Sequence, residues 1–345
     1  MPNDCEIWAD RADQAQHSLD AIYGAPWPQF LSNWSPSYPG SDDVFNYWWL
    51  AHVIDVRLDA YERTGDGRWL DQARLARRNL VERNGGGLVN EYFDDMAWFG
   101  LALERLSRLA ADPAARDDAI QLWQYCRERG WNDTCGPSMA WRTEQPDYKN
   151  TPANGPFAIL GARLFQATND AVFLRYSQDA FEWITRTLTG PDGFVEDGIN
   201  RLGDGAIDRQ WRFTYNQGLY IGAGTALAAA TGQTSYLDRV GPTVRTALSA
   251  LTADEVFASE GSGGDEGLFK GIFYRYALSY LRQRPDNQLA AFIGTSAECL
   301  WLRGHDAQGR FHPGNDWRQA PVGAVPYSTH LSAIMAVEAM AALAG

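Results

Sequence analysis

The chain is constrained most by an alternation that runs through all 345 residues. Apolar positions recur with helical spacing and no segment reads as a strand. The spacing predicts twelve helices, near 4–22, 43–63, 67–83, 94–110, 113–129, 154–168, 170–188, 215–230, 234–250, 268–283, 286–303 and 328–343. Tight turns join some of them, at Thr64-Gly65-Asp66, Ala111-Asp112-Pro113, Thr168-Asn169-Asp170, Thr231-Gly232-Gln233 and Arg284-Pro285-Asp286. Each carries Gly, Asn, Asp or Pro, residues that suit turns and caps. Between the turns lie long links, at 24–42, 84–93, 130–153, 189–214, 251–267 and 304–327. This is a degenerate repeat of helical hairpins, with the first and last helices pairing as a sixth.

The helices also alternate in character. Segment 67–83 carries Trp69, Leu70, Ala73, Ala76 and Leu80 as a stripe, with Arg74, Arg77 and Arg78 facing away. Segment 170–188 is amphipathic in the same way. Segments 94–103, 156–165 and 218–230 are instead apolar nearly all round and rich in Gly and Ala. A helix apolar on every side is a buried one. Six buried helices inside six amphipathic ones make an all-α (α/α)6 barrel, expected here as a single domain over 1–345. If the tight turns join inner to outer helices, every long link falls at the end that receives the inner helix N-termini. Loops on a rigid scaffold are the usual home of function.

One inner helix opens on two adjacent carboxylates, Asn90-Glu91-Tyr92-Phe93-Asp94-Asp95-Met96-Ala97-Trp98. A single Asp would serve as a cap. Two charges ~5.5 Å apart at an effective dielectric of ~20 repel by roughly 3 kcal/mol, about two pKa units. Such a pair tends to share one proton, so one carboxyl is an acid while the other is a base or nucleophile. Glycoside hydrolysis requires that division of labour.

Other polar groups fall at the same end. Trp141 precedes Tyr148-Lys149-Asn150 and Asn154-Gly155, where Asn154 is either an N-cap or a cleft residue. Asp197-Gly198 is either a turn or a further carboxylate for the site. Thr214-Tyr215-Asn216-Gln217-Gly218 opens the eighth helix, and Phe269-Lys270-Gly271-Ile272-Phe273 the tenth. Lys149 and Lys270 are the only lysines beside 28 arginines. Ser41-Asp42-Asp43 reads as an ordinary cap of the second helix.

Composition closes off other classes. A net charge of -13 argues against nucleic acid and anionic membranes as partners, and no apolar run reaches the ~18 residues of a span. Residues 1–6 lack the basic and apolar regions of a leader. The chain as it stands is therefore expected to be cytoplasmic, or secreted if a leader was removed. The five histidines show no metal spacing, and His330 at the start of the last inner helix suits a structural role. There is no nucleophile elbow, P-loop or dinucleotide fingerprint. Gly261-Ser262-Gly263-Gly264 reads as a loop. Cys126 and Cys135 could pair only if their segment folds back.

In the order of its motifs the chain resembles glycoside hydrolase family 76, the endo-α-1,6-mannanases. The motifs are Tyr92-Phe93-Asp94-Asp95-Met96-Ala97-Trp98, Tyr148-Lys149-Asn150 with Asn154-Gly155, Asp197-Gly198, Thr214-Tyr215-Asn216-Gln217-Gly218 and Phe269-Lys270-Gly271-Ile272-Phe273, spread over residues 40–340. The resemblance implies cleavage of α-1,6-mannosidic bonds with retention, without metal or cofactor. It implies Asp94 as nucleophile and Asp95 as general acid/base. Trp98, Trp141, Lys149, Asn150, Asn154, Asp197, Tyr215, Asn216, Gln217 and Lys270 are then the candidate substrate-binding residues. An oligo- or polysaccharide is the expected partner, and a chain without a leader would meet short oligosaccharides. Three alternatives stay open: an α-1,6-glucan hydrolase, a non-hydrolytic sugar-binding or transglycosylating protein, and another (α/α)6 enzyme such as a sugar epimerase or unsaturated-uronide hydrolase.

Overall fold

A computed structural model describes residues 3–261 and 264–345. The glycine-rich loop reading at 261–264 therefore lies partly outside the described residues. Twelve α-helices occur among the described residues. They are α1 (Asp4–Tyr23), α2 (Tyr47–Thr64), α3 (Gly67–Arg83), α4 (Phe93–Ala110), α5 (Pro113–Gly130), α6 (Thr151–Thr168), α7 (Ala171–Trp183), α8 (Thr214–Thr231), α9 (Ser235–Ala250), α10 (Glu266–Leu281), α11 (Asn287–Arg303) and α12 (Tyr327–Ala344). A π-helical turn at Ile184–Leu188 extends α7.

The tight turns repeat one device. The helix before the turn ends in a left-handed residue, Gly65, Ala111, Asn169 or Gly232. An aspartate then often opens the next helix. Asp66 accepts from the Arg68 N–H, Asp112 from Ala115, Asp170 from Val172, and Asp286 from Gln288 and Leu289. These bonds satisfy amides that a helix start leaves orphaned.

Contacts group the chain into two compact units. The first comprises 1–86, 252–278 and 286–345, and the second 87–251 and 279–285. In the second, α4, α6 and α8 pack side by side, backed by α5, α7 and α9 respectively. The three inner helices are buried along most of their length. At Gly155 a Cβ would come within 2.8 Å of the Leu219 Cβ, so α6 and α8 approach at a distance only glycine permits. In the first, α12 packs on α1, α2 and α11, and α2 on α3. There a Cβ on Gly271 would meet the Ser332 backbone at 2.6 Å, the same device between α10 and α12.

Three features depart from expectation. α2 begins at Tyr47 rather than 43, and Asp42 instead accepts from the Asn33 N–H at 2.6 Å. α6 begins at Thr151, with Asn150 rather than Asn154 as its N-cap. Strands are also present, all short. Among the described residues, β1 (Trp34–Ser35) pairs with β8 (Val325–Pro326), and β6 (Thr252–Ala253) with β7 (Val256–Phe257). In the second unit β2 (Trp131–Asn132), β3 (Ser138–Arg142), β4 (Gln145–Asn150) and β5 (Gly198–Ile199) form an antiparallel sheet in that order. These strands of two to six residues fold the long links. β2 and β5 are too short for an apolar alternation to show, and the sequences of β3 and β4 do not alternate.

Candidate active site

The second unit gathers most of the expected residues at the starts of α4, α6 and α8. Asp94 and Asp95 occupy the first turn of α4, where the helix dipole favours negative charge. Both are half-buried rather than enclosed. Asp94 Oδ2 accepts from the Trp141 indole N–H at 3.1 Å, and Asp94 Oδ1 from the Asp95 amide at 3.0 Å. Asp95 Oδ2 accepts from the Asn90 amide at 2.8 Å. Asn90 is itself fixed, since its Oδ1 accepts from the Tyr92 N–H. The two neighbours are thus gripped from different directions, one by β3 and one by the link before α4.

Trp141 is half-exposed and wedged between two tyrosines, with ring centroids 5.5 Å from Tyr92 and 5.7 Å from Tyr148. The Arg142 guanidinium lies over both Trp141 and Tyr92. Trp98, by contrast, is only 4% exposed. Trp141 is therefore the residue with a ring face to offer a pyranose.

Behind Trp141 lies a buried polar cage. Asp197 Oδ1 accepts from Tyr215 Oη and Asn216 Nδ2, both at 3.0 Å. Asp197 Oδ2 lies 3.0 Å from Tyr148 Oη and 3.0 Å from the Arg201 guanidinium. Arg201 also binds Asp208, and Tyr148 Oη is 3.0 Å from Asp208 as well. The single Tyr148 proton can serve only one of those carboxylates at a time. Burial raises the Asp197 pKa, opposed by Asn216, Arg201, Tyr215 and Tyr148. Burial, reinforced by Asp197, likewise raises the Tyr148 and Tyr215 hydroxyls, so both remain protonated donors. Asp94 adds to the Tyr215 effect, which ties the cage electrostatically to the aspartate pair.

Four candidates in this unit have other duties. Lys149 is fully buried, and its Nζ donates to the Ser138 and Asn132 carbonyls at 2.6 and 3.2 Å. Burial lowers its pKa to about 8. Asn150 caps α6. Asn154 clasps Met139 of β3, accepting its N–H and donating to its carbonyl. Gln217 does the same for Val195. All three are at most 3% exposed. These side chains hold the main chain of the links and have little surface left for a sugar. Lys270 belongs to the first unit, fully buried, bonded to the Asn315 carbonyl and 5.4 Å above the Trp317 ring.

Sequence reasoning missed Asn90, Arg201, Asp208 and Trp211. Trp211 is 37% exposed, and the Arg201 guanidinium lies 3.6 Å from its ring centroid. Arg201 and Asp208 flank a glycine-containing turn, and nothing in their spacing announces that they meet. Among the described residues no group of His, Cys, Asp and Glu could hold a metal ion. The four cysteines are free, and no described helix is long and apolar enough to cross a membrane.

A half-open carboxylate pair on a buried helix, flanked by an indole and a polar cage, is a site of the glycoside hydrolase kind. The model of glycosyl hydrolase family 76 matches residues 9–344, and the chain belongs to that family. Among solved structures it is similar to the Lin0763 protein of Listeria innocua, at 43% identity, with 97% of each chain covered and a TM-score of 0.95. It is similar also to the GH76A alpha-1,6-mannanase of Salegentibacter sp. HEL1_6, at 35% identity over 98% of this chain and 100% of that one, TM-score 0.91. An inactive variant of that mannanase, with two consecutive aspartates changed to asparagine, has been solved with alpha-1,6-mannotriose. Among curated proteins the mannan endo-1,6-alpha-mannosidase DCW1 of Candida glabrata is 24% identical over 284 residues, 73% of this chain. The chain spans 62% of that relative's length. The likeness to the GH76A mannanase, together with the family match over residues 9–344, makes the fold an all-α one of the (α/α)6 class.

Proposed function

We propose that this chain hydrolyses α-1,6-mannosidic linkages with retention of configuration, using Asp94 as nucleophile and Asp95 as general acid/base. The observation that carries the reading is the pair itself. Three Asp-Asp pairs occur, at 42–43, 94–95 and 117–118. Asp43 and Asp117 are exposed, and the 117–118 pair lies on the amphipathic α5. Only 94–95 opens a buried helix beside an indole donor. The inactivated aspartates of the Salegentibacter mannanase are consecutive too.

In the first step an Asp94 oxygen attacks the anomeric carbon. The bond to the departing sugar's O6 breaks as O6 takes the Asp95 proton. In the second, Asp95 removes a proton from water, the water oxygen attacks the same carbon, and Asp94 leaves. Trp141 holds Asp94 in place and gives the sugar a ring to stack on. The Asp197 cage holds Tyr148 and Tyr215 around it. The substrate is an α-1,6-linked manno-oligosaccharide or mannan.

Azide rescue tests the assignment. Asp94→Ala is expected to be inactive on every mannoside. Asp95→Ala retains activity on α-mannosyl fluoride, whose leaving group needs no proton, and azide accelerates it to yield an α-mannosyl azide. An α-mannosyl azide formed by Asp94→Ala would reverse the roles, whereas a β-mannosyl azide from that variant is direct displacement of fluoride by azide in place of the missing nucleophile and leaves them as assigned. An inverted product from the unsubstituted chain would remove the covalent step.

A further inference from the structure

The first unit holds a second arrangement of aromatic rings and carboxylate that the reaction above does not use. At the start of α10, Asp265 is exposed at the residue level, yet its carboxyl is crowded by two indoles. Trp49 Nε1 donates to Asp265 Oδ1 at 2.7 Å and Trp48 Nε1 donates to the same oxygen at 3.0 Å. Gly264, at a φ of +100°, faces the Trp49 ring with no side chain between, since a Cβ there would stand 3.0 Å from two ring carbons. Oδ2 has no partner among the described residues.

The two tryptophans are not equivalent. Trp49 is 3% exposed, packs edge-on to Tyr327, and is accounted for as core. Trp48 remains half-exposed, although its N–H is pinned and its ring rests near Phe269 and His52, with centroids at 6.4 and 5.6 Å. One indole is enough to tie α2 to α10. The second is a ring of fixed orientation left open to solvent, beside a carboxylate oxygen with two unused lone pairs. An apolar face next to an acceptor fits a pyranose, which presents C–H groups on one side and adjacent hydroxyls at its edge.

We propose that the starts of α2 and α10 form a further pyranose-binding station, with Trp48 as the stacking face and Asp265 Oδ2 accepting from the sugar hydroxyls. The mannose identity of that sugar rests on the function proposed above. The station itself rests on the geometry of the first unit.

Calorimetric titration with α-1,6-mannohexaose, in the hydrolysis-blocked Asp94→Asn background, tests it. Asp265→Asn keeps an oxygen for the indoles but loses the charged acceptor. Trp48→Ala removes the ring. Each is expected to weaken binding at least roughly tenfold, the scale of a hydrogen bond to a charged group. Thermal unfolding of Asp265→Asn is expected to stay near that of its background, and this variant decides the matter if Trp48→Ala does not fold. Unchanged affinity in a folded Asp265→Asn overturns the station. Absence of any hexaose binding in the background overturns it as well. Cleavage of α-1,6-mannan by the unsubstituted chain is scored separately. A chain that cleaves mannan but binds equally well without Asp265 loses only the station. A chain that cleaves no mannoside but loses hexaose binding with Asp265→Asn loses only the hydrolase assignment.

Discussion

The two units bury charge in different ways. In the first, Glu338 on α12 is 6% exposed and is closed off by Arg63 at 2.8 Å and by Gln16 at 3.0 Å. Arg275 pairs with Asp55 and Asp59, and Arg57 with Asp20. These pairs join one helix to another. In the second unit the buried carboxylate Asp197 is ringed by Tyr215, Asn216, Tyr148 and Arg201, and the ring continues through Trp141 to the half-open Asp94. A closed pair stabilises a fold. A cage that leads to an accessible carboxylate positions it, which is the use catalysis makes of preorganised polar groups.

Four measurements would break or sharpen that contrast. Asp94→Asn should reduce kcat/KM on α-1,6-mannotetraose by about 10⁴-fold or more, the usual scale for a lost nucleophile, with little change in unfolding. Glu338→Ala should do the reverse. Arg63 keeps Asp13 at 2.8 Å, so the loss of Glu338 is expected to cost about 2 kcal/mol of stability, read by denaturant unfolding, while kcat/KM stays within about threefold wherever the protein is folded. Equal catalytic losses in the two variants would erase the distinction.

Acid should separate the units next. All five histidines lie in the first unit. Burial holds His52 and His330 down to a pKa of about 3. Between pH 3 and about 6.5 the unfolded chain binds these two protons and the folded chain does not, so stability falls as pH falls. At pH 5 each costs about 2 kcal/mol, partly offset by Glu338, whose pKa burial raises. Hydrogen exchange at pH 5, corrected for intrinsic rates, should show α2 and α12 losing protection before α4, α6 and α8. The smallest effect is expected of Tyr148→Phe. It removes one donor from the cage, so kcat should fall about tenfold with about 1 kcal/mol of stability lost.

The helices were legible in the sequence because turn chemistry and hydrophobic period agree there. Gly65 before Asp66, and Asn169 before Asp170, each state an end and a beginning. The second helix misled because Ser41-Asp42-Asp43 has the composition of a cap, while Asp42 is spent on the Asn33 amide. The aspartate pair stood out through contrast, two charges against an apolar run. Lys149 stood out by rarity, which marks a residue without saying where its ammonium goes. It goes to two carbonyls of the strand link. Arg201 and Asp208 could not be read at all, since they meet only after β5 and the segment beyond it have folded.

The clasp of Asn154 on Met139 has a metrological side. Asn154 stands on α6, and two residues beyond Met139 is Trp141, whose indole reaches Asp94 on α4. Donor and acceptor are therefore referenced to different helices. The hydrogen bond on the proposed nucleophile works as a gauge of the spacing between α4 and α6, a spacing limited by Leu160 against Gly100, where a Cβ would stand 2.5 Å from a methyl carbon. The gauge is set downstream of residues 133–137. One added methyl at Gly100 would shift its calibration.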